Sequence, residues 1–390
     1  MSGVAKPKEK AVLVGVALQS ISGKTVNEHL AELGRLAETA GAIVVETTFQ
    51  RRDKLDPSTL VGAGKVQEIA EMVARHQADL VIFDEDLSGS QVKKLEARIS
   101  AKILDRSGII LDIFAKHAKT AEAKIQVEVA QLEYLLPRLT KAWTHLSRQA
   151  GGVGIGMRGP GETQLEVDRR LIRKRIAELN RKLERMQGIR EAQHSRRIPT
   201  FHIAVVGYTN AGKSTLMNSL TKAGVESADK LFATLDPTTR KIWIGAQKAA
   251  VLSDTVGFIR KLPVGLVSSF KSTLSVVVQA TLILHLVDAS AEDFEDQMEI
   301  TAKILSELCP EDTNRVTVFN KIDLLAPERL EFLRLHHPQT LFISAESKIG
   351  LDLLRQRIRE FYEQDVFTSS SGDAVPVQPD VTWQENEPEN

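Results

Sequence analysis

The string Gly207-Tyr208-Thr209-Asn210-Ala211-Gly212-Lys213-Ser214-Thr215 sets a lysine directly after its second glycine and hydroxyl residues directly after the lysine. Residues of these types at this spacing can hold a phosphate chain. The glycines let successive backbone N–H groups converge on an anion, and a helix start just beyond them adds further unpaired N–H groups. Lys213 would reach the outer phosphates, and the Ser214 hydroxyl would ligate Mg²⁺.

Further strings follow in order along the chain. Asp254-Thr-Val-Gly257 offers a carboxylate for a Mg²⁺-bound water and a glycine whose N–H can meet a terminal phosphate. Asn320-Lys321-Ile322-Asp323 offers a carboxylate that can accept both N1–H and N2–H₂ of guanine, a donor pair that adenine cannot present. Ser344 and Ala345 supply a loop whose backbone N–H groups would contact the base oxygen. The binding set is therefore Gly207, Asn210, Ala211, Gly212, Lys213, Ser214, Thr215, Asp254, Gly257, Asn320, Lys321, Asp323, Ser344 and Ala345, with Lys213 and Gly257 nearest the reacting phosphate. Ser214 and Asp254 are expected at the metal. A threonine of Leu231–Arg240 should complete its shell, Thr234 being favoured over Thr238 and Thr239.

The elements needed to position these groups are present. His202–Val206 is an apolar run ahead of the glycine loop, and Leu216–Leu220 reads as the helix after it. Ala250–Ser253, Thr281–Asp288, Arg315–Phe319 and Leu341–Ile343 read as strands, each delivering its loop at the C-terminal end. The last amphipathic helix is expected over Leu351–Tyr362.

The chain has 390 residues, more than one hydrophobic core usually serves, and its formal net charge is zero. No apolar run reaches membrane-spanning length, and the N-terminus lacks a secretory apolar region, so a cytoplasmic protein without stable membrane insertion is expected. Cys309 is the single cysteine, which excludes a disulfide framework and a cysteine-based metal site. Upstream of the nucleotide strings, strand-like Ala11–Leu18, Ala42–Thr47 and Ala78–Phe83 alternate with helix-like Val26–Ala40, Val66–Arg75 and Gln91–Ile99. That alternation predicts a small parallel α/β domain. Gly62-Ala-Gly64-Lys65 within it lacks both the spacing and the hydroxyl of a nucleotide loop and is read as a structural turn, with phosphate or RNA-backbone contact as the rival reading. Asp84, Glu85 and Asp86 lie just beyond a strand end, where α/β sheets often bind ligands, with an ordinary solvated loop as the other reading and no His or Cys nearby to make a metal site.

Helical periodicity then runs from Ile113 to Leu146, with Pro137 as a kink or stop, and again from Thr163 to Gln193. The two stretches predict an antiparallel hairpin. Its loop, 151–161, holds six glycines and a proline, so it is costly to order without a partner. From Arg158 to Arg197 there are twelve Arg or Lys against six Asp or Glu. Arg158, Arg169, Arg170, Arg173, Lys174 and Arg175 are the candidate RNA contacts. A solvated helix with pairs such as Glu166–Arg170 is the alternative. Few aromatics interleave with the basic residues, which favours backbone contact with duplex or folded RNA over base stacking, and DNA is not expected. The expected division is 1–112, 113–199, 200–365 and a disordered polar tail, 366–390.

Two positions modify the chemistry. Phe258 stands directly after Gly257, where Ras-type enzymes use a glutamine to orient water, so turnover alone should be slow. Asn210 stands where some GTPases use an asparagine to help bind K⁺, with plain structural capping as the rival reading.

The order of the nucleotide strings is similar to that of the TRAFAC class of P-loop GTPases. Gly154–Arg170, immediately upstream, resembles the HflX family signature, as does Phe232–Arg240. The resemblance covers about residues 10–365. It implies an α/β chain: a small parallel N-terminal domain, a helical hairpin and a Ras-like P-loop GTPase domain. It implies GTP/GDP and Mg²⁺ as ligands, and a monomer when free. The partner implied is the 50S ribosomal subunit and its rRNA, with release of stalled ribosomes under stress as the outcome. Some members of the family also use ATP, which Asn320–Asp323 would not predict. A G domain attached to an RNA-modifying activity and a regulatory switch for a protein or membrane partner remain as alternatives.

Overall fold

The computed structural model describes residues 8–19, 22–139, 164–194, 201–221, 231–232, 238–245, 248–261, 276–310 and 313–370. Its N-terminal sheet contains β1 (Lys10–Leu18), β2 (Ile43–Arg52), β3 (Leu80–Phe83) and β4 (Lys102–Asp105), all parallel in the order β2-β1-β3-β4. β1 is apolar from Ala11 onward because both of its faces are covered. One face packs on α1 (Gly23–Ala40) through Leu30, Leu33 and Leu36, the other on α2 (Ala63–His76) through Val66, Ile69 and Val73. Ser22 caps α1 by accepting the Thr25 N–H at 3.1 Å, and Gly41 ends it at φ 96°. Gly62 is the cap of α2 and its N–H donates to Gln50 Oε1 at 2.8 Å, so Gly62–Lys65 is a helix start inside the fold.

After α3 (Gly89–Glu96), the structure differs from the single helix expected over Ile113–Leu146. Helix α4 (Arg106–His117) begins earlier, straight out of β4, with Asp105 as its cap. It stops before Thr120, whose hydroxyl accepts the Ala123 N–H at 3.1 Å and starts α5 (Ala121–Leu135). A capping threonine, with neither glycine nor proline, makes this break. Ile109, Ile110, Ile113 and Phe114 bury α4 in the N-terminal core, so residue 112 lies within a helix of that unit.

Helix α6 (Gln164–His194) packs antiparallel to α5. The direction follows from its pairings: Arg175 meets Glu128 at 2.8 Å, whereas Arg169, earlier in α6, donates to Leu139 O, later than α5, at 3.0 Å.

The second sheet has the order β10-β9-β8-β5-β7-β6. Its strands are β5 (His202–Gly207), β6 (Thr239–Gly245), β7 (Lys248–Asp254), β8 (Leu282–Asp288), β9 (Asn314–Asn320) and β10 (Leu341–Phe342). Only the β6–β7 pairing among these is antiparallel. Between them lie α7 (Lys213–Leu220), α8 (Phe294–Leu308) and α9 (Pro327–His336). The closing helix α10 (Leu351–Ser370) runs beyond the expected Tyr362. Among the described residues, no helix is long and apolar enough to cross a membrane.

Candidate functional site

Because β5, β7, β8 and β9 run parallel, their C-terminal ends share one edge of the sheet. The glycine loop, Asp254, Asp288 and Asn320 emerge there together, where open α/β sheets bind ligands.

The glycine loop is shaped by close approaches. A Cβ on Gly207 would stand 2.2 Å from Leu286 O, and one on Gly212, at φ 93°, would stand 2.3 Å from Asn320 Nδ2. Only glycine fits at either place. Helix α7 begins at Lys213 without a side-chain cap, so its N-terminal N–H groups face the loop. Lys213 is buried, and its ammonium donates to Tyr208 O at 2.7 Å and Gly207 O at 3.2 Å. Burial pushes its pKa down to about 8, against the pull of Asp254, with Lys321 adding to the lowering.

Ser214 Oγ donates to Asp254 Oδ2 at 2.8 Å, so the sheet brings together the hydroxyl and carboxylate expected at a metal. Asp254 is fully buried and its Oδ1 accepts the Thr255 N–H at 2.9 Å. Thr234 lies outside the described residues. Of its rivals, Thr239 is in β6 with its hydroxyl 3.0 Å from Ser253 Oγ, a sheet contact, while Thr238 O accepts the Asp254 N–H at 2.9 Å.

Asn320 joins two loops. Its Nδ2 donates to Ala211 O and its Oδ1 accepts the Ala345 N–H, both at 2.9 Å. Lys321, at φ 63°, reaches back to Asp288 Oδ2 at 2.7 Å. Asp323 is exposed at the same edge. The Ser344 hydroxyl accepts the Ser347 N–H at 3.0 Å, and Ala345 O accepts from Ser219 Oγ at 2.6 Å, tying this loop to α7.

Phe258 is turned away from this edge. It is buried against Val206, Val277, Ile283 and Leu305, so its ring fills the core and presents nothing to a water. Of the basic candidates, Arg158 lies outside the described residues. Arg169 and Arg175 are drawn into the α5–α6 pairing, while Arg170, Arg173 and Lys174 are exposed on α6.

The residues present fit a phosphate chain with its cation. Lys213 is a buried ammonium set among carbonyls, and Gly207 and Gly212 form a cradle that a Cβ would fill. Among the described residues, Thr209 Oγ1 is buried without a hydrogen-bond partner, an arrangement that costs about 1–3 kcal/mol until a ligand satisfies it. Sequence reasoning passed over Thr209 and Asp288. The aspartate closing the apolar run of β8 was the one signal for the latter.

Comparison with known proteins agrees with this geometry. Residues 27–115, 117–197 and 202–321 match the families described as GTP-binding GTPase N-terminal, GTP-binding GTPase middle region and 50S ribosome-binding GTPase. GTPase HflX of Caldanaerobacter subterraneus is 47% identical over 369 residues, covering 93% of this chain and 83% of that protein. GTPase HflX of Escherichia coli is 44% identical over 358 residues, covering 90% and 82%. The crystal structure of SsGBP with GDP has the same fold, with a TM-score of 0.51 at 24% identity over 91% of this chain and 99% of that one. With such relatives 44% and 47% identical over most of both chains, the chain belongs to the HflX family of P-loop GTPases.

Proposed function

We propose that this GTPase acts on the large ribosomal subunit and uses GTP to release stalled ribosomes. The observation that carries the proposal is the convergence of Lys213, the Ser214–Asp254 pair and Asn320 on one sheet edge, in a chain whose residues 202–321 match a 50S ribosome-binding GTPase family. As a family member, the chain binds guanine nucleotide and hydrolyses GTP to GDP and phosphate.

In this reading, Gly207, Asn210, Ala211, Gly212, Lys213, Ser214 and Thr215 surround the phosphates. Lys213 and the Gly257 N–H contact the terminal phosphate. Ser214, Asp254 and Thr234 hold Mg²⁺, which supplies charge neutralisation at the phosphate oxygens. Asp323 accepts from guanine, Lys321 lies along the base, and Ser344 and Ala345 meet its oxygen. Asn210, exposed on the loop at φ 63°, would be the residue beside a bound K⁺. Arg170, Arg173 and Lys174 face rRNA phosphates.

Phe258 leaves the attacking water without the glutamine that Ras-type enzymes use to orient it, and in this reading the ribosome supplies that help. Hydrolysis measured with and without purified 50S subunits tests this, together with pelleting in a non-hydrolysable GTP analogue. At least tenfold stimulation with analogue-dependent pelleting is expected. No stimulation and no pelleting would overturn the ribosomal reading.

A further inference from the structure

Three polar side chains of the glycine loop, Tyr208, Thr209 and Lys213, are buried, and two of them have partners within the folded chain. The Tyr208 hydroxyl donates to Glu32 Oε2 of α1 and accepts the Arg260 N–H at 2.8 Å. Lys213 Nζ donates to Tyr208 O and Gly207 O. Thr209 differs. It is 7% exposed and, among the described residues, nothing hydrogen-bonds its Oγ1. A hydroxyl brings one donor and two acceptor lone pairs, and leaving them all unmet away from water is unfavourable. A buried polar atom in that condition calls for a group that the folded chain alone does not supply.

The surroundings of Thr209 identify that group. A Cβ built on Gly257 would stand 2.8 Å from Thr209 Cα, 2.9 Å from Thr209 Cγ2 and 2.9 Å from Lys213 Nζ. Thr209, Lys213 and Gly257 thus meet around one small volume, and Lys213 and Gly257 are the residues assigned above to the terminal phosphate. The backbone N–H of Thr209 is already committed, because it donates to Phe258 O at 2.8 Å. That bond and the one from Phe258 N–H to Gly207 O at 3.0 Å fix Thr209 against the peptide that follows Gly257. The hydroxyl is therefore the donor that Thr209 has left to offer. Its branched Cβ, with the methyl beside Gly257, restricts rotation of the side chain, so the donor is ordered before anything binds. The ring of Phe258 is in the core and brings nothing polar to the phosphate from the next position.

We propose that Thr209 is a catalytic residue of the GTPase reaction: its hydroxyl donates a hydrogen bond to an oxygen of the terminal phosphoryl group while that group passes to water. This rests on the nucleotide reading of the site. In the transfer the water oxygen bonds to phosphorus, the P–O bond to the diphosphate breaks, and its electron pair leaves with GDP. Both protons of the water go with the released phosphate. Thr209 keeps its own proton throughout and acts by stabilising charge on the phosphoryl oxygens beside Lys213.

The test uses the full chain and three readouts: GTP hydrolysis, the tightening of GDP binding by aluminium fluoride, and the melting temperature without nucleotide. Thr209→Val keeps the shape and removes the hydroxyl. Its kcat should fall about 10- to 100-fold with KM within about twofold of the wild type. GDP, which has no terminal phosphate, should bind as before, and aluminium fluoride should no longer tighten it. The melting temperature should not fall, because the hydroxyl has no partner in the free chain to lose. Thr209→Ser and Thr209→Ala both lack the methyl and differ only in the hydroxyl; the serine variant should keep the rate and the fluoride effect, and the alanine variant should lose both. Wild-type kcat and fluoride effect in Thr209→Val or Thr209→Ala would overturn the proposal. A raised KM at unchanged kcat would also overturn it, leaving Thr209 a binding residue only. So would a lowered melting temperature with weakened GDP binding in Thr209→Val, which would make the hydroxyl structural. Failure of the wild-type chain to bind either nucleotide would instead overturn the reading of the site.

Discussion

Ser214 Oγ donates to Asp254 Oδ2 across 2.8 Å, joining the start of α7 to the end of β7. The two side chains meet only because β5 and β7 are paired in parallel, with Val205 opposite Asp254. Asp254→Asn keeps the shape and removes the charge. Its GTP hydrolysis should fall by at least ~100-fold, and Mg²⁺ should no longer strengthen nucleotide binding, as read from nucleotide affinity with and without a chelator.

Asp323 stands exposed at the sheet edge with an acceptor-only side chain. Asp323→Asn exchanges one acceptor for a donor, which opposes guanine N1–H and N2–H₂. Guanine affinity should drop about 100-fold or more. Xanthine nucleotides, which carry an acceptor at C2, should gain. A competition titration of GDP against the xanthine analogue reads both directions.

Phe258→Gln is expected not to restore fast hydrolysis. The site of that ring is a buried apolar cluster, so a glutamine there is an unsatisfied amide in the core. Loss of stability of about 2–4 kcal/mol should accompany unchanged slow turnover, measured by denaturant unfolding beside phosphate release.

His285 on β8 is buried, and burial first, then Arg315, pushes its pKa down to about 4 from 6.5. The folded chain therefore binds fewer protons at this residue than the unfolded one between those values. Its contribution to stability is fully present above pH 6.5 and is lost as pH falls toward 4. Unfolding free energy measured across that window should lose up to about one proton of slope in His285→Asn.

Arg173 and Lys174 are exposed on α6, whereas Arg175 is bound to Glu128 at 2.8 Å. Reversing Arg173 and Lys174 to glutamate should weaken binding to ribosomal RNA and lower the salt dependence by about one unit for each phosphate left without its cation. Arg175→Ala should act mainly on the α5–α6 pairing, visible as faster hydrogen exchange in those helices.

The nucleotide strings were legible because each is local: a few consecutive residues at a strand end carry both the turn and the chemistry. Gly207–Ser214 needed only its own spacing to be placed, and Phe258 could be read as a missing glutamine without knowing that its ring enters the core. Asp84 was not legible. Three acids after a strand look solvated, and what buries Asp84 is Lys261, 177 residues on, together with Arg106 from a helix whose start the periodicity missed. Tyr208 looked like a loop residue for the same reason, since Glu32 lies in another unit. The break before Thr120 escaped because a threonine cap leaves apolar periodicity almost intact. β4 is only four residues long and offers little alternation to detect.

The bracing role of Asn320 has a dimensional consequence. One amide is fastened at one end to Ala211 of the glycine loop and at the other to Ala345 of the loop after β10. The gap between the two loops is then set by the length of a single side chain, as by a caliper. Widening the gap requires breaking one of those bonds, so under the proposed nucleotide reading the two loops admit a fixed span from base to phosphate.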